Sequence, residues 1–203
     1  MNLENNYYYW KKALPVSLCK DIIKYALTIK KTRGTVGVSK SKFKLNVIKK
    51  SRDSNVVWLS DEWIYREIIP FIQEANVKAN WNFQLTKAEP MQFTIYGKEQ
   101  HYGWHCDSFV LDPNGKNDQI VFPDLSRKLS LTVSLNDESE YSGGYLEIDN
   151  RNNFHQKNIH RLEIIRTTGS LVVFPSFLYH RVTPVKKGTR YSLVVWMNGK
   201  PFK

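Results

Sequence analysis

The sequence predicts a mainly β fold carried on a helical N-terminal layer. Three observations lead there. Residues 15–31, PVSLCKDIIKYALTIKK, set Leu18, Ile22, Ala26 and Ile29 at helical spacing, with Cys19, Ile23 and Leu27 beside them. From about residue 88 the texture changes to short β-prone runs: MQFTIYG, KLSLTVSLND, GGYLEID, GSLVVFPS and RYSLVVWMNG, several alternating apolar and polar residues. Gly, Pro, Asn and Asp punctuate these runs closely, as they do in an all-β barrel or sandwich.

In order along the chain, Pro15 stands at the start of the first helix, where its missing N–H costs nothing. TRGTVGVSKSKFK, with two glycines and many polar residues, reads as a loop. A second helix begins after Ser60 in WLSDEWIYREIIPFIQEANVKANW. Ser60 is its expected cap, and Asp61 and Glu62 complement the positive end of the helix dipole. Pro70 falls mid-pattern and is expected to kink or split it. The division expected is one domain over 1–203, with 1–87 a helical supporting layer and 88–203 the β core. The chain shows no repeat, low-complexity tract or linker.

The 203 residues suffice for a substantial core, and 41% apolar with 24% charged content is ordinary for a globular protein. No apolar run approaches the ~20 residues of a membrane helix. MNLENNYYYWKKALP lacks the features of a secretory signal, so a cytoplasmic location is expected. Cys19 and Cys106 are then free thiols. The net charge of +11 is concentrated: residues 20–52 carry eleven Lys and Arg against Asp21 alone, which is +10. Such a segment could steer an acidic protein, a nucleic acid or a membrane surface; a solvated basic loop is the plainer reading.

HYGWHCDSF, residues 101–109, holds the first chemistry-bearing cluster. On a strand, His105 and Asp107 would share a face and could reach one metal. A third ligand must come from elsewhere, and His180 stands out: it follows the strand and turn of GSLVVFPSFLY and opens HRVTPV. Arg190 lies ten residues beyond it. Two histidines and a carboxylate form the facial triad of non-haem Fe(II), which leaves one side of the ion open. The far carboxylate of 2-oxoglutarate needs a cation, and an arginine fork supplies two donors. Arg190 and Ser192, again i and i+2, could both meet it. Other pairings are weaker. Gly103 and the β-like context argue against a zinc pair of His101 and His105 on a helix. Cys106 would point away from its neighbours. His155 and His160 sit in a polar loop, and Gly143 and Gly144 read as a tight turn.

These residues resemble the Fe(II)- and 2-oxoglutarate-dependent dioxygenases, in particular their prolyl 4-hydroxylase-like branch and its small free-standing microbial and phage members. The resemblance runs through SRDSNVVWLS, YGKEQHYGWHCD, RKLSLTVSLND, YSGGYLEI, GSLVVFPSFLYHRVTPVKKGTRYSLVVW and GKPF. It implies a double-stranded β-helix, a jelly roll with helices on one face. It implies His105, Asp107 and His180 as iron ligands and Arg190 as the 2-oxoglutarate arginine. Tyr96, Tyr102 and Trp196 match aromatic positions around the site. Some prolyl hydroxylases place a cosubstrate-contacting tyrosine where this chain has Ser134. The implied reaction converts 2-oxoglutarate and O₂ to succinate and CO₂ while hydroxylating a C–H bond, with ascorbate as an implied accessory reductant. The substrate implied is a prolyl residue in a peptide or protein. Another side chain, a free amino acid or a nucleic-acid base is the alternative, as is a non-catalytic binding module. The base-dealkylating branch carries RxNxxxR after its distal histidine; here the chain reads RYSLVVW, which disfavours nucleic acid.

Overall fold

The computed structural model describes residues 5–34, 51–108, 122, 124–150 and 158–201. The chain opens with β1 (Tyr8–Trp10), α1 (Val16–Thr28) and β2 (Thr32–Arg33). β3 (Arg52–Asp53) and β4 (Asn55–Leu59) precede α2 (Glu62–Lys78). Then come β5 (Lys87–Ala88), β6 (Met91–Tyr96), β7 (His101–His105) and β8 (Ser126–Ser134). The last part holds β9 (Tyr141–Gly143), β10 (Leu146–Asp149), β11 (Ile159–Arg161), β12 (Leu171–Pro175), β13 (Tyr179–Val182), β14 (Val185–Gly188) and β15 (Arg190–Gly199).

Two sheets dominate. The larger runs β1-β12-β8-β15-β6-β4-β2, with β5 also on β15; the smaller runs β11-β10-β13-β7-β3. All of these strand pairs are antiparallel. This is the mainly β jelly roll expected, with helices against one face of the larger sheet.

The alternation in the sequence explains the layering. Leu129, Leu131 and Val133 of β8 and Leu193, Val195 and Met197 of β15 share one apolar cluster with Ile22 and Ala26 of α1 and Ile64, Ile68, Ile72 and Ala75 of α2. Burying an isoleucine there contributes roughly 1.5–3 kcal/mol. The intervening residues of β8, Lys128, Ser130, Thr132 and Ser134, face the other way, yet all are buried. So are Gln92, Thr94 and Tyr96 of β6 and Arg190, Ser192 and Trp196 of β15. A second apolar cluster, including Leu146, Ile148, Val172, Phe174 and Val182, closes the space between the sheets. The interior is therefore apolar towards one end and polar along the large sheet.

Several expectations are corrected. α2 runs unbroken through Pro70. Proline removes one backbone hydrogen bond, but the fully buried Ile64, Ile68 and Ile72 hold both halves on the same core. Its N-cap is Asp61, not Ser60, and no side chain caps it. The Asp61 carboxylate instead accepts the Tyr25 hydroxyl at 2.8 Å, tying α2 to α1. Residues before 88 are not purely helical. β1 pairs with β12 and β4 with β6. In β4, Val57 and Leu59 enter the core while Trp58 faces outward, a period-two pattern that helix-seeking overlooks. Most of the predicted basic loop, residues 35–50, lies outside the described residues, as does His155. No helix among the described residues is long and apolar enough to cross a membrane.

Gly169 joins the N-terminal segment to the sheet. Leu14 donates its N–H to the Gly169 carbonyl at 3.1 Å. Gly169 has φ +77°, and a Cβ there would collide with the Leu14 carbonyl oxygen. Gly169→Ala should therefore lower stability by about 2 kcal/mol or more, combining left-handed strain with the clash. Urea unfolding would show this as a lower midpoint at unchanged slope.

Candidate metal centre

The smaller sheet brings together residues that are far apart in the chain. β13 pairs with β7 so that His180 lies opposite His105. Just past β7, the Asp107 N–H donates to the Ser176 carbonyl at 2.8 Å, which turns the chain inward. The ligand atoms of His105, Asp107 and His180 all lie within 4.8 Å of one another. His105 Nε2 is 3.6 Å from Asp107 Oδ1, and His180 Nε2 is 3.5 Å from Asp107 Oδ2. These separations are long for hydrogen bonds and leave room for a shared ion.

The imidazoles are set for that task. His105 Nδ1 donates to the Gly103 carbonyl at 2.8 Å and His180 Nδ1 to the Leu178 carbonyl at 2.9 Å. Each bond fixes the tautomer and leaves Nε2 as the free lone pair, the usual support of a metal-bound histidine. Tyr102 stacks on His105 with centroids 3.5 Å apart and planes 12° apart. The Arg52 guanidinium lies 4.4 Å from the centre of the Tyr102 ring. Phe174 meets His180 edge-on at 4.8 Å. The donor set, buried and pre-oriented, fits a divalent iron site with open positions.

Along the large sheet, strand register places the other predicted residues together. Arg190 is opposite Tyr96, and Ser192 is opposite both Thr94 and Ser134. Arg190 is 2% exposed. Its Nη1 donates to Ser192 Oγ at 3.2 Å, and its guanidinium lies 5.6 Å from the Tyr96 ring centre. Among the described residues no carboxylate pairs with it. A buried charge without a counter-ion costs several kcal/mol, so this pocket is built for an anion. Burial raises the Tyr96 phenol, against the pull of Arg52 and Arg190, and it stays a neutral donor. Burial likewise pushes Tyr102 up to about 12.

Trp196 lies opposite Ser130 on the same inner face. It is 6% exposed, and its indole Nε1 is buried with no hydrogen-bond partner among the described residues. Arg127 covers its ring at 3.9 Å and makes a two-point pair with Glu89, at 2.7 and 2.5 Å. Trp58, half exposed, continues the aromatic wall outward, 6.1 Å from Trp196.

The remaining candidates fall away. His101 lies on a strand and binds the Glu99 carbonyl, so no helical zinc pair exists. The Cys106 thiol donates to the Ser108 carbonyl at 3.4 Å, and burial raises it away from reactivity. Both cysteines are free. His160 contacts Asn158. Gly143 and Gly144 have φ of +72° and +61°, the turn expected of them. Sequence reasoning missed Arg52, Glu89, Arg127, Ser130 and Ser176. The alternation in LSLTVS was the available signal for Ser130: Leu129, Leu131 and Val133 take one face, which puts Ser130 on the other with Thr132 and Ser134.

Charge follows geometry. Burial first, and then His180, pulls the His105 imidazole from its ordinary 6.5 down to about 3. Burial alone would raise the Asp107 carboxyl, but His180, His105 and Arg127 together outweigh it and hold the group at about 2. Both groups are thus in their ligating forms near neutrality. Between pH 6.5 and about 3, the unfolded chain accepts a proton at residue 105 that the folded metal-free protein refuses. Stability should fall on acidification through this window, by up to about 1.4 kcal/mol per pH unit from this group. Asp107 adds a loss in the same direction as pH falls from 3.8 through about 2. Urea unfolding of metal-free protein at pH 7 and pH 5 would measure the first loss, and His105→Gln should flatten it.

Comparison with known proteins agrees with this geometry. Residues 91–198, more than half of the chain, match the model of the 2OG-Fe(II) oxygenase superfamily. A PKHD-type hydroxylase of Alteromonas mediterranea is 33% identical over 110 residues, covering 53% of this chain and 42% of that protein. The chain thus spans about half the length, or less, of the curated relatives it matches. In fold it resembles a prolyl-4-hydroxylase of Pseudomonas putida, at 18% identity, TM-score 0.66, and coverage of 98% and 95% of the two chains. It also resembles the viral collagen prolyl hydroxylase of Paramecium bursaria Chlorella virus-1, at 20% identity, TM-score 0.64 and coverage of 97% of each. This chain therefore belongs to the 2OG-Fe(II) oxygenase superfamily, whose members use Fe(II), 2-oxoglutarate and O₂.

Proposed function

We propose that the protein is an Fe(II)- and 2-oxoglutarate-dependent hydroxylase of prolyl residues in a peptide or protein. The observation that carries the cosubstrate assignment is the buried Arg190 with no carboxylate partner among the described residues. It lies on the inner face of the same barrel whose other sheet carries His105 and His180, with Asp107 just past β7. In this reading those three residues hold Fe(II), and Arg190 with Ser192 receives the far carboxylate of 2-oxoglutarate. Tyr96 and Tyr102 wall the pocket as neutral phenols. Ser134, beside Ser192, adds a hydroxyl where some relatives have an aromatic ring. Bound Fe(II) supplies the oxidising chemistry that couples decarboxylation of 2-oxoglutarate to C–H hydroxylation.

The substrate assignment rests on Trp196. Its indole N–H has no acceptor among the described residues, and its ring, backed by Arg127 and continued outward by Trp58, gives the site a flat apolar wall. A prolyl ring suits such a face, because it is apolar and carries no N–H of its own. The names of the fold neighbours, prolyl hydroxylases among them, support the same class. Among the described residues of the site, no comparable group speaks for a base or a free amino acid as substrate. The basic 20–52 segment would then engage an acidic partner or substrate flank.

Anaerobic Fe(II) with 2-oxoglutarate should give a weak visible charge-transfer band, and its absence would remove the cofactor assignment. Asp107→Ala and His180→Ala should each abolish succinate formation. Arg190→Ala should weaken 2-oxoglutarate binding by about 2–3 kcal/mol, on the order of 30–150-fold in Kd. Substrate class is tested by incubating the enzyme with proline-containing peptides and with oligonucleotides, then seeking the mass of one added oxygen. Peptides should gain it, and Trp196→Ala should raise KM for peptide more than for 2-oxoglutarate. Oxygen added to oligonucleotides alone would overturn the prolyl reading.

A further inference from the structure

We propose that Ser176 and Ser130 are positioning residues that hold Asp107 as a one-oxygen metal ligand. The inference rests on the metal-centre reading above. Both serines are fully buried, at 0% exposure. Ser130, on the inner face of β8, donates its hydroxyl to Asp107 Oδ2 at 2.7 Å. Its oxygen is also 2.9 Å from Ser176 Oγ.

The proton count gives this chain a direction. An ionised carboxylate only accepts, and a serine hydroxyl has a single proton to give. Ser130 gives its proton to Asp107, so the proton between the serines belongs to Ser176. The relay runs Ser176 to Ser130 to Asp107.

Ser176 grips the same residue a second way. Its carbonyl accepts the N–H groups of Asp107 and Ser108 at 2.8 and 2.9 Å. Its own N–H donates to the Lys128 carbonyl at 2.9 Å, next to β8's Ser130. Backbone and side chain of Asp107 are therefore held in one closed frame built on β8 and the turn after β12.

The histidines do not choose between the carboxylate oxygens. Oδ1 stands 3.6 Å from His105 Nε2, and Oδ2 stands 3.5 Å from His180 Nε2. The serine relay does choose, because it engages Oδ2 alone. A charge-assisted hydrogen bond draws density from that oxygen and fixes the plane of the carboxylate. Oδ1 is left as the stronger donor. The distinction matters at a facial triad. A carboxylate bound through one oxygen leaves positions for a chelating ketoacid and for O₂, whereas a chelating carboxylate takes one of them. Two hydroxyls that merely satisfied each other in a tight core would have no such effect on a metal.

The test uses the full chain, with Ser130→Ala, Ser130→Thr and Ser176→Ala. Fe(II) affinity is titrated anaerobically, and the visible spectrum of the Co(II)-loaded protein reports coordination. Ser130→Ala should bind Fe(II) roughly tenfold more weakly, the scale typical of supporting residues around metal ligands, and should shift the Co(II) bands. Ser130→Thr, which keeps the hydroxyl, should restore both. Ser176→Ala should show a smaller change of the same sign. A folded Ser130→Ala with wild-type affinity and spectrum would overturn the inference while leaving the metal centre standing. If Ser130→Ala does not fold, a wild-type result for Ser176→Ala overturns it instead. Failure of the wild type to bind Fe(II), or undiminished binding by Asp107→Ala, would remove the metal centre and this inference with it.

Discussion

The large sheet must serve two environments with one set of strands, and the rest of the molecule follows from that. A strand offers alternate side chains to opposite faces. On β8 and β15 one set, Leu129, Leu131, Val133, Leu193 and Val195, seals against α1 and α2. The other set carries hydroxyls, an arginine and a tryptophan into the barrel. The apolar face supplies the hydrophobic stabilisation that lets the polar face be buried without losing the fold. A one-residue slip of register would exchange the two and destroy core and pocket together.

The smaller sheet contributes a different constraint. Its strands supply His105 and His180 as cross-strand neighbours, and irregular pairing follows at once, between His180 and Val182. That irregularity accompanies the stacking of Tyr102 on His105, which regular alternation would have sent to the opposite face. The site thus combines regular register, which sets the distance between histidines, with a local departure from it, which brings in an aromatic support.

Much of this was legible in the chain. The alternating runs announce the strands, and HxD with a distant histidine and an arginine beyond it announces the site, because the spacing constrains chemistry more than composition does. Pro70 misled because propensity is local while α2 is held by tertiary packing. β4 was missed as a strand because it is short and precedes a helix. Glu89, Arg127 and Arg52 were illegible for another reason. Each acts through a partner distant in sequence, Arg127 on Glu89 and Trp196, Arg52 on Tyr102. No spacing rule links such pairs before the strands are aligned.

The cross-strand meeting of His105 and His180 also bears on how the protein matures. Contacts between residues so far apart in the chain form late, since the entropy of closing the intervening loop must be met first. An unpaired chain offers no assembled triad, so metal capture waits for the barrel. Once it has closed, any ion held there adds RT ln(1 + [metal]/Kd) to stability, because the unfolded chain binds it poorly. Metal loading thereby bears on how much of the protein is folded as well as on its competence.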